Sequence, residues 1–120
     1  MPLTAMDLVQ AAKQQIEEIE PAGAQTLLGQ VSVLDVREPA EFAAGCLPGA
    51  VNIPRGVLEF RIGTQPDCKP EMPILVYCQS GGRSALAVEA LRKMGYEKAV
   101  SLAGGYKGWQ ESGLSVVTPA

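Results

Sequence analysis

Short apolar runs alternate along the chain with segments whose apolar residues recur at helical intervals. The run at Ile74–Tyr77 is the clearest, and Val31–Val36 is apolar or β-branched at most positions up to Asp35. Such runs are typical of strands that are buried on both faces. The pattern predicts strands at Glu18–Glu20, Val31–Val36, Gly49–Ile53, Ile74–Tyr77 and Ala99–Leu102.

Helical periodicity is clearest in two of the intervening segments, Thr4–Ile16 and Ser84–Met94. The first has its apolar side at Leu8, Val9, Ala12 and Ile16. The second has its apolar side at Ala85, Ala87, Val88, Leu91 and Met94, and Gly95 follows as a cap.

Shorter helices and one long loop complete the pattern. The helices are expected at Pro21–Leu28, Pro39–Ala44, Gly56–Ile62 and Tyr106–Gln110, and the surface loop at Gly63–Pro73. Because strands alternate with helices, the pattern predicts an α/β protein with a mostly parallel sheet and helices on both faces.

The bulk composition narrows the class of protein. A length of 120 residues suits a single domain, assigned to 1–120, with a core of about 16–112 and an N-terminal helix within 1–15. The net charge of −3, without a basic stripe, argues against a nucleic-acid partner. No apolar run approaches the roughly 20 residues of a membrane span, and the N-terminus lacks a signal-peptide pattern. We therefore expect no membrane partner and a cytoplasmic location.

The cysteine and histidine counts constrain the chemistry further. Three cysteines without a CxxC pair argue against a disulfide framework and a structural zinc site. The absence of histidine excludes Ser–His and Cys–His mechanisms and every His-ligated metal. We expect neither a metal nor an organic cofactor. Any nucleophile in this chain must be activated in another way.

Cys78 follows the Ile74–Tyr77 strand directly and precedes a glycine-rich turn and a helix. Ligand sites in open α/β sheets lie at such carboxyl ends of strands. Gly81 and Gly82 let the backbone curl so that successive N–H groups point to one place, and the helix expected to begin near Arg83 or Ser84 adds free N–H groups and partial positive charge. We expect these groups to stabilise a thiolate, which makes Cys78 the candidate nucleophile.

Side chains next to this cysteine favour anion chemistry. Arg83 can hold a substrate oxyanion with two parallel hydrogen bonds, and the hydroxyls of Ser80 and Ser84 can donate to sulfur or oxygen. The alternative is that Cys78 is an ordinary buried core cysteine. We favour the functional interpretation, because a core thiol has no need of the Gly-Gly-Arg-Ser sequence that follows.

The other two cysteines are interpreted as structural. Cys46 lies in a loop before Pro48, and Cys68 lies in a loop flanked by prolines; neither has a glycine-rich turn around it.

Three motifs of the chain resemble those of the rhodanese-like family, in the family's order. The first, similar to the N-terminal signature, combines Asp35–Phe42 (DVREPAEF) with Gly45–Pro54 (GCLPGAVNIP). Val76–Ser84 (VYCQSGGRS) resembles the active-site loop, and Leu102–Trp109 (LAGGYKGW) resembles the C-terminal signature. The resemblance extends from about Ile19 to Trp109.

The resemblance implies a three-layer α/β/α fold with a five-stranded, largely parallel sheet. It also implies sulfane-sulfur transfer through a persulfide on Cys78. By position, Arg83 assists catalysis, and the substrate-binding loop comprises Gln79, Ser80, Gly81, Gly82 and Ser84. One departure is Cys46, where the family usually has histidine before the Leu/Ile-Pro-Gly-Ala turn; we infer that this position is structural, and a redox role for it stays open.

Charged and glycine residues elsewhere in the chain are interpreted as structural. Asp35 and Arg37 lie at another strand end and are expected to form an ion pair. Arg55 and Arg61 bracket a predicted helix and could attract anions, but solvated surface arginine is the commoner case. The Gly104–Trp109 segment is expected to supply a turn and core packing.

The expected reaction is transfer of sulfur from thiosulfate or a similar small anion to cyanide or a thiol. One alternative is a persulfide carrier or regulatory module that delivers sulfur to a partner protein. A cysteine-dependent phosphatase of the same fold is less favoured. The phosphatase loop is one residue longer than the four residues between Cys78 and Arg83, and the chain shows no evident general acid.

Overall fold

Six helices and five strands alternate within residues 2–119, the part of the chain that the computed structural model describes. The helices are α1 (Ala5–Lys13), α2 (Pro21–Leu27), α3 (Pro39–Ala44), α4 (Leu58–Arg61), α5 (Gly82–Lys93) and α6 (Gly105–Glu111). The strands are β1 (Glu18–Ile19), β2 (Ser32–Asp35), β3 (Ala50–Asn52), β4 (Ile74–Tyr77) and β5 (Ala99–Leu102). Short 3-10 turns at Arg55–Val57 and Ile62–Thr64 flank α4.

The five strands form one sheet in the order β1-β5-β4-β2-β3, and every neighbouring pair is parallel. The central strand β4 pairs with β2 on one side and β5 on the other, with Tyr77 opposite Asp35. Because all strands run in the same direction, their carboxyl ends lie along one edge of the sheet. The predicted five-stranded α/β fold is confirmed, and Cys78 follows the central strand at this edge.

Alternate residues of the central strand pack against different helices, which confirms that helices cover both faces of the sheet. Ile74 and Val76 belong to a core cluster that includes Leu91 of α5. Leu75 and Tyr77 belong to a second cluster, in which α2 contributes Ala24 and α6 contributes Tyr106 and Trp109. Cys78 lies on the α5 side of the sheet.

Helix α1 packs against α5. A capping box fixes its start, because the Asp7 N–H donates to Thr4 Oγ1 and the Thr4 N–H donates to Asp7 Oδ2. Val9 and Ala12 pack with Ala85 of α5. The helix ends at Lys13, so the predicted extension to Ile16 is wrong. The placement of Leu8 on the buried side is also wrong, since contact with a single helix covers only a narrow stripe and leaves this side chain 49% exposed.

Three further expectations need correction at their boundaries. The predicted helix Gly56–Ile62 is broken into short 3-10 and α turns. Helix α5 starts at Gly82, earlier than expected. Met94 lies beyond α5 and is 45% exposed, because the chain reverses at Gly95 (φ +101°) and buries Tyr96 instead. Within residues 2–119, no helix combines the length and the hydropathy needed to cross a bilayer.

Candidate active site

The sulfur of Cys78 accepts two backbone hydrogen bonds from the loop that follows it. The Gly81 N–H donates to Sγ at 3.1 Å, and the Ser84 N–H donates to it at 3.3 Å. Gly81 has a φ of +112°, in the left-handed region that favours glycine, and this turn directs its N–H back to the sulfur. Ser84 is the third residue of α5, so its N–H is one of the free donors at a helix start. The sulfur therefore occupies a helix-cap position, where the helix dipole favours negative charge.

Fewer backbone N–H groups contact the Cys78 sulfur than was predicted from the sequence. The expected cradle used successive N–H groups of the whole loop, whereas two of them reach the sulfur. The Ser84 hydroxyl lies 3.5 Å from Sγ, as expected for a side-chain partner. Ser80 is exposed, and its hydroxyl makes no hydrogen bond to any residue in the 2–119 range. The direction that a side chain would take at Gly82 leads to α1, since a Cβ added there would lie 3.6 Å from a methyl group of Val9.

Hydrogen bonding, and not burial, distinguishes Cys78 from the other cysteines. Cys78, Cys46 and Cys68 are all buried and free of disulfides. No N–H group of residues 2–119 donates to the sulfur of Cys46 or Cys68. Burial raises the pKa of the Cys46 thiol, and it raises the pKa of Cys68 to about 11. These surroundings favour the neutral thiol and agree with the structural interpretation of both residues.

A hydroxyl pair lies behind residues 78–84, which we call the catalytic loop as the candidate site of the chemistry. Ser84 Oγ is 2.8 Å from Ser101 Oγ, and the Ser84 hydroxyl also donates to the Gly81 carbonyl at 3.2 Å. Ser101 lies in β5 and is fully buried. Ser101 was not among the predicted site residues. The available signal was a single serine in an otherwise apolar strand next to β4.

The start of α6 fixes the backbone of the catalytic loop. The Tyr106 N–H donates to the Cys78 carbonyl at 2.8 Å, and the Lys107 N–H donates to the Gln79 carbonyl at 3.0 Å. Gly105 allows this approach, because a Cβ at that position would lie 2.5 Å from the Cys78 carbonyl oxygen. This segment was predicted to supply a turn and core packing. Trp109 is indeed core, but the glycine also brings α6 against the loop.

Arg83 is engaged by a carboxylate of α3. Its Nη1 donates to Glu41 Oε1 at 2.7 Å, and its Nη2 donates to Glu41 Oε2 at 3.1 Å. The hydrogen bonds from Arg83 hold the pKa of Glu41 at about 2. The guanidinium that was predicted to hold a substrate oxyanion therefore already holds a carboxylate, and nothing in the sequence pattern indicated this pairing.

Arg37 follows β2 and contacts Gln79, which lies just after β4. Its ion pair with Asp35 confirms the prediction. Its guanidinium binds both carboxylate oxygens of Asp35, with Nη2 at 2.7 Å from Oδ2, and both side chains are buried. The same group donates to the Gly45 carbonyl at 2.6 Å and to Gln79 Oε1 at 3.4 Å, and it stacks over the Tyr106 ring at 4.3 Å. The side chain of Gln79 is thereby held by Arg37.

The remaining predicted arginines lie on the segment after β3. Arg55 Nη1 donates to both carboxylate oxygens of Glu59, at 2.9 and 3.1 Å. Its Nε is buried and has no hydrogen-bond partner in the described part of the chain. Arg61 is exposed. The structure thus gives Arg61 the surface position that was expected, and it places Arg55 in a surface ion pair.

A cavity of about 320 Å³ opens at the other end of the sheet. Its lining includes Ile74, at the start of β4, together with Glu18, Lys98 and Val100. No cysteine lines it, so it offers no sulfur nucleophile. The candidate chemistry remains at the carboxyl edge, where a sulfur atom meets backbone donors.

Comparison with known proteins agrees with this geometry. A family model described as the rhodanese-like domain matches residues 11–112. A sulfurtransferase of Allochromatium vinosum is 35% identical over 89 residues, which cover 74% of this chain and 80% of that protein. The human thiosulfate:glutathione sulfurtransferase is 35% identical over 94 residues, which cover 69% of this chain and 82% of that protein.

A solved structure from Rhodopseudomonas palustris is similar along almost the whole chain. It superimposes with a TM-score of 0.83 at 30% identity, covering 98% of this chain and 99% of the other. That protein is described as being of unknown function and as a possible tyrosine phosphatase.

Proposed function

Because this chain belongs to the rhodanese-like domain family, we propose that it transfers sulfane sulfur from thiosulfate, or a similar small anion, to cyanide or a thiol. Named sulfurtransferases among its relatives support the general class of reaction. The human relative is named for thiosulfate and glutathione, which favours a small-molecule thiol as acceptor.

The observation that carries the proposal is the pair of backbone N–H groups directed at Cys78 Sγ. Gly81 and Ser84 donate to this sulfur, whereas Cys46 and Cys68 receive no such bonds from residues 2–119. Hydrogen bonds to an ionised acceptor are roughly twice as strong as those between neutral groups. The loop therefore favours a negatively charged sulfur, which can be the thiolate or the terminal sulfur of a persulfide.

In the first half-reaction, the Cys78 thiolate attacks the outer sulfur of thiosulfate. A Cys78 S–S bond forms while the S–S bond of thiosulfate breaks, and sulfite leaves with the bonding electron pair. The negative charge passes to the terminal sulfur of the persulfide, close to the N–H groups that bound the thiolate. No proton transfer is required, which fits a chain without histidine.

In the second half-reaction, the acceptor attacks the terminal sulfur. Cyanide leaves as thiocyanate, or a thiolate leaves as its persulfide, and the electron pair of the broken S–S bond returns to Cys78 as thiolate. The two half-reactions share one enzyme intermediate, so the steady-state kinetics are ping-pong. Neither step needs an external oxidant or reductant.

Arg83 assists donor binding in this proposal by exchanging its partner. A doubly charged donor offers oxyanions that match the same two Nη groups that now bind Glu41. Binding of thiosulfate by Arg83 therefore requires the Glu41 carboxylate to move aside. The cost of this exchange sets part of the KM for the donor.

Steady-state turnover of thiosulfate with cyanide tests the proposal. Cys78→Ser is expected to abolish turnover, because a hydroxyl cannot form the persulfide. Cys46→Ser and Cys68→Ser serve as matched controls and retain most of the activity, since neither sulfur faces a backbone donor. Full activity in Cys78→Ser would refute the assignment, and large losses in either control would indicate that a second cysteine relays sulfur.

The same assay separates the alternatives. A carrier would load sulfur stoichiometrically from thiosulfate but turn over negligibly with cyanide or glutathione. The name of the Rhodopseudomonas relative motivates a parallel assay with an aryl phosphate. We expect no phosphatase activity there, because the loop has four residues between Cys78 and Arg83, one fewer than a phosphatase loop, and the sequence shows no evident general acid.

A further inference from the structure

Ser101 is the one residue of β5 whose side chain links the sheet to the nucleophile. It is fully buried, and its Oγ lies 2.8 Å from Ser84 Oγ. Among residues 2–119, Ser84 Oγ is its sole hydrogen-bond partner. A buried hydroxyl without a partner is unfavourable, so this contact determines how both hydroxyl protons are arranged.

Ser84 has one hydroxyl proton and three neighbouring acceptors. These are Cys78 Sγ at 3.5 Å, the Gly81 carbonyl at 3.2 Å and Ser101 Oγ at 2.8 Å. If Ser84 donated to Ser101, the sulfur would lose this donor and the Ser101 proton would have no acceptor. If Ser101 donates to Ser84, both groups are satisfied and the Ser84 proton is free to serve the sulfur or the carbonyl.

We propose that Ser101 is a positioning residue that donates to Ser84 Oγ and thereby strengthens the Ser84 hydroxyl as a donor for negatively charged Cys78 sulfur. With a neutral thiol, the S–H donates to Ser84 Oγ and the Ser84 hydroxyl donates to the Gly81 carbonyl. With a thiolate or persulfide, the Ser84 hydroxyl rotates to the sulfur. The thiol proton is released to solvent, and no proton passes between the serines.

The Gly81 carbonyl lowers the free-energy cost of this rotation. It also accepts the Ala85 N–H at 3.1 Å, so it keeps a hydrogen bond after the Ser84 hydroxyl has turned away. Ser101 donates to Ser84 in both states, and this bond is stronger when the Ser84 hydroxyl is polarised by donating to negatively charged sulfur. No buried polar atom of this group is therefore left without a partner in either charge state of the sulfur.

The test is the pH dependence of Cys78 alkylation by iodoacetamide, followed on the full chain by peptide mass spectrometry. Ser101→Ala removes a hydrogen bond that is present in both charge states but stronger with charged sulfur. The midpoint of its profile is therefore expected to move to higher pH by about 0.3 unit. Ser32→Ala is the matched control. It removes a strand serine that donates to the Asp67 carbonyl, and the profile should not move.

Three further variants separate hydroxyl donation from packing. Ser101→Thr keeps the hydroxyl and is expected to retain the wild-type midpoint. Ser101→Val, which has the shape of threonine without the hydroxyl, should shift it as Ser101→Ala does. In a Ser84→Ala background, Ser101→Ala should add no further shift, since its effect is transmitted through Ser84.

An unshifted profile in both Ser101→Ala and Ser101→Val would overturn the inference, as would an equal shift in the Ser84→Ala background. The inference rests on the proposed function only in taking Cys78 as the reactive group. Sulfur transfer with an unshifted profile would overturn this inference alone. A shifted profile in a protein that transfers no sulfur would overturn the proposed function alone.

Discussion

Gly105→Ala tests whether the start of α6 holds the catalytic loop in place. Gly105 has a φ of +60°, and a Cβ built on it would lie 2.5 Å from the Cys78 carbonyl oxygen and 2.7 Å from the carbonyl carbon and oxygen of Gln79. All three atoms belong to the backbone, so no side-chain rotation can relieve the contact. Either α6 or the catalytic loop must move.

The cost has two sources. An alanine in the left-handed region is unfavourable by about 1–2 kcal/mol. Movement of α6 also weakens the hydrogen bonds from the Tyr106 and Lys107 N–H groups to the loop carbonyls, each of which contributes about 1 kcal/mol. We expect Gly105→Ala to lower the free energy of unfolding by about 3 kcal/mol and to reduce sulfur loading more strongly than the remaining folded fraction would explain.

Urea denaturation and thiosulfate loading measured on the same preparations check this prediction. Gly113→Ala is the matched control, because Gly113 also has a positive φ (+77°) but a Cβ there would meet nothing within 4 Å. It should lower stability by about 1–2 kcal/mol and leave loading intact. The reasoning is refuted if Gly105→Ala is no less stable than Gly113→Ala and loads sulfur normally.

Three further predictions concern charged and buried groups. Arg37→Met leaves the Asp35 carboxylate buried without its partner, and urea denaturation should show a loss of about 3–5 kcal/mol; a near-neutral effect would refute this. The pKa of Glu41 is lowered to about 2 from 4.5, so its pairing with Arg83 stabilises the fold above about pH 4.5 and is lost as the pH falls through about 2. The stability difference between wild type and Glu41→Gln should shrink over that window, and a constant difference would contradict the pairing. Burial raises the pKa of Cys68 to about 11, so a thiol reagent applied below that pH should label Cys68 in urea but leave it unlabelled in the native protein.

The sequence pattern predicted the architecture because each predicted strand is preceded by a proline or a polar residue. The run at Ile74–Tyr77 is apolar enough to be buried on both faces, and it proved to be the central strand. The errors lie where tertiary contacts decide. Leu8 has the right helical spacing, but α1 packs chiefly against α5, and periodicity does not reveal how wide the covered stripe is.

The site also contains residues that local sequence reveals and residues that only the fold brings together. Cys78 and its glycine turn are contiguous in the sequence, so local pattern was sufficient to find them. The Glu41–Arg83 and Ser84–Ser101 pairs join residues 42 and 17 positions apart, and only the fold brings them together. Gly105 stood in a recognisable glycine pair, yet the backbone it approaches belongs to a different βα unit.

The central claim is that Cys78 carries the transferred sulfur. It is tested most directly by peptide mapping of the wild-type chain after thiosulfate treatment, before and after addition of cyanide. The account predicts one added sulfur atom on the peptide that contains Cys78, lost on addition of cyanide with formation of thiocyanate. Added sulfur on the peptides of Cys46 or Cys68 with none on Cys78 would contradict it.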